Sequence, residues 1–203
     1  LKAHGPAVGL PSDDDMGNSE VGHNALGCGQ IYSQGAKLVN ESILSGKIYR
    51  SDSWKEIVNN VLEHQSTLHF LGLLSDGNVH SNISHLIAMI KEAKNEGVKK
   101  VRIHILLDGR DVPATSALVY VDQLENVLSE VNDSTFDARI ATGGGRMKIT
   151  MERYQANWGM VEEGWHTHVL GEGKCFSNAK DAIEEYRNEY QVIDQDLPAF
   201  VIS

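Results

Sequence analysis

The chain has 203 residues, of which 41% are hydrophobic and 23% charged, and its net charge at pH 7 is −10. This composition is typical of one or two globular domains. The negative charge argues against nucleic acid or an anionic membrane surface as a partner, because both require clustered lysine and arginine. No apolar run approaches the ~18 residues of a membrane span. We therefore expect a cytoplasmic protein, in which an anionic ligand would need local basic residues.

The first informative segment, residues 9–24, reads Gly-Leu-Pro-Ser-Asp-Asp-Asp-Met-Gly-Asn-Ser-Glu-Val-Gly-His-Asn and predicts a loop that turns into a helix near Ser19. A hydroxyl at a helix start lies among unpaired backbone amides, which stabilise an alkoxide or a transferred phosphoryl group. Ser19 is thus a candidate nucleophile, with His23 one helical turn later. The alternative is ordinary helix capping, because Asn and Ser are preferred cap residues. Val21 excludes the Gly-x-Ser-x-Gly elbow of esterases.

Further along the chain, apolar runs alternate with amphipathic stretches, which is typical of parallel α/β units. Helical periodicity is present in residues 53–64, 82–95, 117–131 and 178–190, and strand-like runs are residues 67–74, 100–107 and 136–141. Residues 198–203 also read as a strand. The first two runs are nearly continuous in apolar residues, which predicts strands covered on both faces.

Each of the three main strand runs is followed by a loop that carries glycine and a basic or imidazole side chain. These loops are residues 75–81, 108–111 and 142–146. Ligands of open α/β sheets lie beyond the carboxyl ends of the strands, so His80, Arg110 and Arg146 are predicted to converge on an anion. Taken singly, the loops allow a capping histidine, a turn with a local ion pair and a flexible glycine turn.

The two cysteines, Cys28 and Cys175, are far apart in the sequence and form no Cys-x-x-Cys pair. A structural zinc site or a disulfide framework is therefore not expected. Free thiols suit a reducing compartment.

Together these segments resemble the 2,3-bisphosphoglycerate-independent phosphoglycerate mutases, metalloenzymes of the alkaline phosphatase superfamily. Residues 9–30 resemble the nucleophile segment of that family, and Asp108-Gly-Arg-Asp111 matches a family motif without change. Residues 75–81 resemble the motif Ser-Asp-Gly-Gly-Val-His-Ser, with Asn78 in place of the second glycine. Residues 143–147 and 151–154 resemble its Gly-Arg and Met-Asp-Arg elements.

The resemblance implies a role for each matched residue. Ser19 would be the phosphorylated nucleophile and a ligand of one of two divalent ions, manganese in this family. Asp111 would exchange a proton with the glycerate hydroxyls and bind substrate. The other implied substrate ligands are His80, Arg110, Arg146 and Arg153. Trp158 and Trp165 also recur in the resemblance, and we interpret both as core aromatics.

The resemblance further implies two unequal parts of an α/β protein. Residues 1–33 would be a piece of an alkaline-phosphatase-like, metal-binding domain, and residues 34–203 most of a parallel-sheet phosphotransferase domain. The implied reaction is the glycolytic and gluconeogenic interconversion of 3-phosphoglycerate and 2-phosphoglycerate through phosphoserine, by a monomeric parent protein. The remaining metal ligands would lie outside this chain, which reads as an internal fragment and is expected to be inactive alone. Asp13, Asp14 and Asp15 are interpreted as solvated or capping acids.

Two other classes of function would each use part of these residues. A phosphatase or another phosphomutase of the superfamily would share the metal-bound nucleophile but lack the loops of Arg110 and Arg146. A non-catalytic anion-binding module would use those loops without turnover. The products formed from 3-phosphoglycerate discriminate between these functions.

Overall fold

The protein is built around one five-stranded sheet with helices packed against it. The computed structural model describes residues 2–17, 19–151 and 157–203. The strands are β1 (Leu68–Leu73), β2 (Lys100–Leu107), β3 (Asp137–Gly145), β4 (Lys174–Phe176) and β5 (Phe200–Ile202). Their spatial order is β1-β2-β3-β5-β4; β1, β2 and β3 run parallel, whereas β5 is antiparallel to β3. The predicted α/β class with a largely parallel sheet is confirmed.

The five helices predicted from the sequence, one from the residue 9–24 segment and four from periodicity, are also present. The helices are α1 (Ser19–Cys28), α2 (Gly35–Leu44), α3 (Asp52–Glu63), α4 (Ile83–Asn95), α5 (Ala117–Val131), α6 (Trp158–Trp165) and α7 (Ala179–Tyr190). Side chains of Ser51, Asn82 and Asn178 accept hydrogen bonds from backbone amides in the first turns of α3, α4 and α7. Because these caps satisfy otherwise unpaired amides, they fix where each helix begins. The short α2 and α6 were not predicted.

The main hydrophobic core lies between the sheet and helices α3, α4, α5 and α7. Apolar residues recur along one face of each helix, so that burial of that face drives packing against the strands. The largest fully buried side chains include Phe200, Leu74, Ile90, Ile103, Ile105 and Leu124. This core holds the carboxyl ends of β1, β2 and β3 in register, since Leu73 pairs with Leu106 and Leu106 with Gly144.

Strand β1 lies at an edge of the sheet and has exposed side chains, and this exposure corrects the prediction that both of its faces are covered. Among the described residues it pairs only with β2, and Leu71 remains 52% exposed. Strand β2 is central and nearly all of its residues are buried, as predicted. An apolar run therefore marked a strand in both cases but did not distinguish the edge from the centre.

Strand β3 extends four residues beyond its predicted end at Ala141 and includes three consecutive glycines. Gly143, Gly144 and Gly145 are buried strand residues, so the interpretation of this run as a flexible turn is wrong. The missing side chains make room for neighbouring groups. A Cβ at Gly143 would lie 2.3 Å from the Phe200 ring, and one at Gly145 would lie 2.3 Å from the carbonyl oxygen of Gln195.

We expect Gly145→Ala to lower the free energy of unfolding by about 3 kcal/mol, because the added methyl meets backbone that cannot rotate away. The backbone atoms affected are the carbonyl groups of Gln195 and Asp194. Urea denaturation monitored by circular dichroism measures the effect. Gly72→Ala in β1 is the matched control, since its Cβ would meet no atom within 4 Å. Equal stabilities of the two variants would show that the close packing around Gly145 is not rigid.

The N-terminal segment forms a small unit of its own. Val8, Leu10 and Val21 make a cluster separate from the main core. Both cysteines are free and exposed. Among the described residues, no helix combines the length and the apolar character needed to cross a membrane.

Candidate active site

The three loops singled out in the sequence meet at one edge of the sheet. Strands β1, β2 and β3 are parallel neighbours, so the loops that follow them lie side by side. Because β3 ends at Gly145, the third loop begins at Arg146 rather than at Thr142. The predicted juxtaposition of the three loops is therefore observed.

One carboxylate, that of Asp108, receives hydrogen bonds from all three loops. Its Oδ2 accepts from the Ser75 hydroxyl of the first loop at 2.6 Å, and its Oδ1 accepts from Arg146 Nη1 of the third at 2.9 Å. The same Oδ1 accepts from the backbone amides of Arg110 and Asp111 at 3.2 and 3.1 Å. Asp108 is only 2% exposed. Burial opposes its ionisation, but these bonds outweigh burial and hold the pKa of Asp108 below its ordinary value.

Arg146 is buried between two carboxylates. Its Nη1 donates to Asp108 and, at 2.6 Å, to Oδ2 of Asp111. Burial alone would lower the pKa of Arg146, but the bonds to Asp111 and Asp108 raise it, so the guanidinium stays charged. A buried charge is tolerated only when it is paired in this way. The predicted ligands Asp111 and Arg146 are thus in direct contact.

Two other predicted ligands lie at the solvent side of this edge. Arg110 and His80 are both exposed, and within the described ranges neither side chain makes a hydrogen bond or ion pair. Gly77 brings the first loop against the second, since a Cβ there would lie 2.9 Å from Cβ of Asp111. The two exposed basic side chains remain available to an anion, whereas Arg146 is already compensated.

The departure from the family motif at Asn78 is explained by the backbone. Asn78 has φ of +60°, a conformation that glycine adopts freely and that Asn tolerates better than most residues. Its Nδ2 donates to Oδ1 of Asp15 at 2.7 Å, and its Oδ1 accepts from Asn82. Asp15 also accepts from the backbone amide of Ser12. This acid therefore ties the N-terminal segment to the first loop, which agrees with its interpretation as a capping residue.

Ser19 is the first residue of α1 and is exposed. Because Ser19 lies at the start of the helix, it is near the positive end of the helix dipole. Nδ1 of His23 lies 2.5 Å from the backbone carbonyl oxygen of Ser19. Ser19 belongs to the N-terminal unit, whereas the residues around Asp108 belong to the sheet edge.

One predicted ligand, Arg153, lies outside the described residues. Within residues 2–17, 19–151 and 157–203, no group of three or more His, Cys, Asp or Glu side chains is arranged to hold a metal ion. The described part of the chain therefore does not by itself fit the two-metal centre that the resemblance implies.

The interpretation of Trp158 and Trp165 as core residues is wrong. They are 64% and 59% exposed. Helix α6 packs through Gly164 instead, where a Cβ would lie 2.4 Å from the Thr150 hydroxyl. Aromatic residues at the ends of a helix need not face the core when a glycine provides the close contact.

The sequence reasoning missed Asp108 and Ser75 as members of the site. Both are the first polar residues after a buried strand end, at the same sheet edge as the predicted ligands. A polar residue buried at that position needs a partner in a neighbouring loop. That signal was present, but the sequence does not show which loops pair.

A second polar network crosses the face of the sheet. Nδ1 of His69 lies 2.9 Å from Nε2 of His104, whose Nδ1 lies 2.7 Å from the Thr142 hydroxyl. That hydroxyl lies 2.6 Å from Nδ1 of His168, and Nε2 of His168 lies 3.0 Å from the Thr150 hydroxyl. Burial, with smaller contributions from His168 and His69, lowers the pKa of His104 to about 4. Burial lowers the pKa of His168 to about 4 as well.

We expect the chain to lose stability as the pH falls from 6.5 towards about 4. In that window the unfolded chain binds protons that the folded rings of His104 and His168 resist, so the free energy of unfolding rises with pH. For His104 alone, a pKa lowered from 6.5 to about 4 corresponds to a loss of about 3 kcal/mol by pH 4, at about 1.4 kcal/mol per pKa unit. Urea denaturation across this window measures it. His104→Gln should flatten the dependence, whereas His64→Gln, at an exposed histidine, should not. Parallel curves for both variants would contradict the assignment.

The fold and site define an α/β protein with paired carboxylates and basic side chains at the carboxyl edge of three parallel strands. A family model described as the BPG-independent PGAM N-terminus matches residues 39–203. The chain therefore belongs to the 2,3-bisphosphoglycerate-independent phosphoglycerate mutase family.

Individual relatives agree with this membership. A probable 2,3-bisphosphoglycerate-independent phosphoglycerate mutase of Leptospira interrogans is 60% identical over 204 residues, covering 100% of this chain and 37% of the relative. The enzyme of that name from Zea mays is 52% identical over 203 residues, covering 100% of this chain and 36% of its own length. A solved structure of Leishmania mexicana phosphoglycerate mutase at low cobalt concentration has a TM-score of 0.95 and 49% identity, covering 100% of this chain and 37% of that one. The chain thus spans little more than a third of these relatives.

Proposed function

We propose that the full-length protein containing this chain interconverts 3-phosphoglycerate and 2-phosphoglycerate without added bisphosphoglycerate. The observation that carries this proposal is the meeting of Arg110, Asp111 and Arg146 at one sheet edge, in a chain that belongs to the mutase family. Arginine suits this substrate because its planar fork binds phosphate and carboxylate groups. The activity would be that of an isomerase acting in the cytoplasm on a small molecule.

The two parts of the chain are proposed to have different roles. Residues 1–33 would belong to the phosphatase-like domain and present Ser19, and residues 34–203 would form most of the phosphotransferase domain. The match of the family model from residue 39 onward supports this boundary. The phosphoryl group would pass from the 3-hydroxyl of glycerate to Ser19 and then to the 2-hydroxyl, while the sheet-edge residues retain glycerate.

The described side chains suit that retention step. Arg110 and His80 face solvent without a partner in the described structure and are free to bind the carboxylate and phosphate of the substrate. Asp111 lies beside Arg146 and its side chain is 14% exposed, so a hydroxyl of glycerate can reach it. Asp111 is proposed to give a proton to the oxygen that leaves phosphorus and to take one from the oxygen that attacks.

Two divalent ions, manganese by resemblance, are proposed for the full-length protein. Ser19 is the one matched ligand in this chain, and its neighbours Asp13, Asp14 and Asp15 are not assigned to the metal. No group of three metal-binding side chains occurs among the described residues. We therefore expect the 203-residue chain alone to show no turnover.

The test is conversion of 3-phosphoglycerate by the full-length protein with manganese, with and without a chelator, followed by phosphorus NMR. Chelator-sensitive formation of 2-phosphoglycerate supports the mutase. Release of inorganic phosphate would instead indicate a phosphatase of the same superfamily. Binding of 3-phosphoglycerate without any product would indicate an anion-binding module. The 203-residue chain, assayed in parallel, is expected to be inactive.

A further inference from the structure

The sheet edge contains two carboxylates beside Arg146, and they differ in their surroundings. The Asp108 side chain is 2% exposed and accepts four hydrogen bonds. The Asp111 side chain is 14% exposed, and among the described residues it accepts a hydrogen bond from Arg146. Asp108 is therefore held from several sides, whereas Asp111 can exchange its bond with a bound ligand.

The four bonds to Asp108 fix the groups that a substrate would meet. The two amide bonds shape the turn from which Arg110 and Asp111 project. The bond to Arg146 joins the third loop to that turn, and the bond from Ser75 joins the first. A single buried carboxylate thus sets the relative positions of three loops from neighbouring strands.

We propose that Asp108 is a positioning residue, which compensates the charge of Arg146 and holds it in place while Asp111 engages the substrate. This inference rests on the proposed function, and it assigns Asp108 no contact with substrate. When a glycerate hydroxyl hydrogen-bonds to Asp111 in place of Arg146, Arg146 would lose one of its two anionic partners. The bond from Arg146 to Asp108 then compensates the buried guanidinium, which would otherwise be costly. Ser75 supports this arrangement by holding the second oxygen of Asp108.

Position 108 requires a carboxylate rather than a carboxamide. Both oxygens of Asp108 accept hydrogen bonds, one from Ser75 and the other from two amides and Arg146. An asparagine has only one acceptor oxygen, so with that oxygen towards the two amides and Arg146 its amide nitrogen would face Ser75. The Ser75 hydroxyl would then have to accept instead of donate, and the negative charge beside Arg146 would be lost. Asp108→Asn therefore disturbs the network with almost no change in volume.

The experiment measures kcat and KM for 3-phosphoglycerate in full-length variants. We expect Asp108→Asn to raise KM about 10- to 100-fold, with a smaller change in kcat, because the charge that orders Arg146 is lost. Ser75→Ala should shift KM in the same direction by less than about tenfold, since it removes a neutral partner. Asp137→Asn is the control, because Asp137 pairs with Arg102 and Arg139 at the start of β3. Its KM should remain that of the wild type.

A double-mutant cycle separates positioning from a general effect on folding. In an Arg146→Ala background, Asp108→Asn should change KM by less than about twofold, because its target is gone. Equal effects of Asp108→Asn in both backgrounds would overturn the proposal, as would a wild-type KM in the single variant. If Asp108→Asn does not fold, the same cycle is measured with Ser75→Ala in its place, and equal effects of Ser75→Ala in both backgrounds would overturn the proposal.

Failure of the proposed function has a different signature. If the wild-type protein binds 3-phosphoglycerate without converting it, the mutase proposal fails, and the cycle is measured as dissociation constants by calorimetry. Coupling between Asp108 and Arg146 in binding would then still support the positioning role. A wild-type protein that neither binds nor converts 3-phosphoglycerate would overturn both.

Discussion

Replacing Ser19 by alanine is expected to reduce the proposed mutase turnover of the full-length protein by at least about 10⁴-fold, since loss of the proposed nucleophile would remove the covalent route altogether. Ser19 begins α1 and is exposed, so the loss of one hydroxyl should change the free energy of unfolding by no more than about 0.5 kcal/mol. The two readouts together distinguish loss of chemistry from loss of fold. Conversion of 3-phosphoglycerate and thermal unfolding are the measurements.

The proposed role of Ser19 as nucleophile predicts a covalent phosphoserine intermediate. Acid quenching of the wild-type enzyme during turnover, followed by mass spectrometry of its peptides, should find a phosphoryl group on the peptide that contains Ser19. The Ser19→Ala protein should carry none. Ser53→Ala is the matched control, because Ser53 is also exposed in the first turn of a helix, α3. An unchanged rate in Ser19→Ala would remove Ser19 from the mechanism.

The sequence predicted the site's location because strand direction and strand order have simple consequences. Apolar runs separated by amphipathic helices predict parallel strands, and parallel strands place the loops after them at one edge. His80, Arg110 and Arg146 follow three strands that are neighbours in the sheet. Two of the helical ranges predicted from periodicity begin at residues 82 and 178, and the structure shows that Asn82 and Asn178 cap α4 and α7.

What the sequence did not predict depends on contacts between distant residues. The three glycines at the end of β3 read as a turn, yet Gly143 pairs with β2 as a strand residue, and the Phe200 ring occupies the space that its side chain would fill. Arg146 was predicted to bind an anion, and its two carboxylate partners were not foreseen. The sequence pattern predicts the edge of the sheet at which a side chain lies. It does not predict which side chain of another loop contacts it there.

Replacing Asp111 by asparagine is expected to lower kcat about 10²- to 10⁴-fold, the range typical of a lost general acid or base. Asparagine keeps the shape of the side chain, and its amide oxygen can still accept from Arg146 Nη1, but it cannot exchange a proton. Arg146 also keeps its bond to Asp108, so the fold should persist. Steady-state kinetics with 3-phosphoglycerate, together with thermal unfolding, are the measurements.

The position of Asp111 predicts a different kinetic response from that of Asp108, because Asp111 is half-buried and Asp108 is fully buried. Asp111→Asn should act mainly on kcat, whereas Asp108→Asn should act mainly on KM. Asp76→Asn is the control within the neighbouring loop, where the Asp76 carboxylate accepts from the Tyr120 hydroxyl at 2.5 Å. A kcat of Asp111→Asn within about threefold of the wild type, with KM raised instead, would restrict Asp111 to substrate binding and leave the proton transfer to another group.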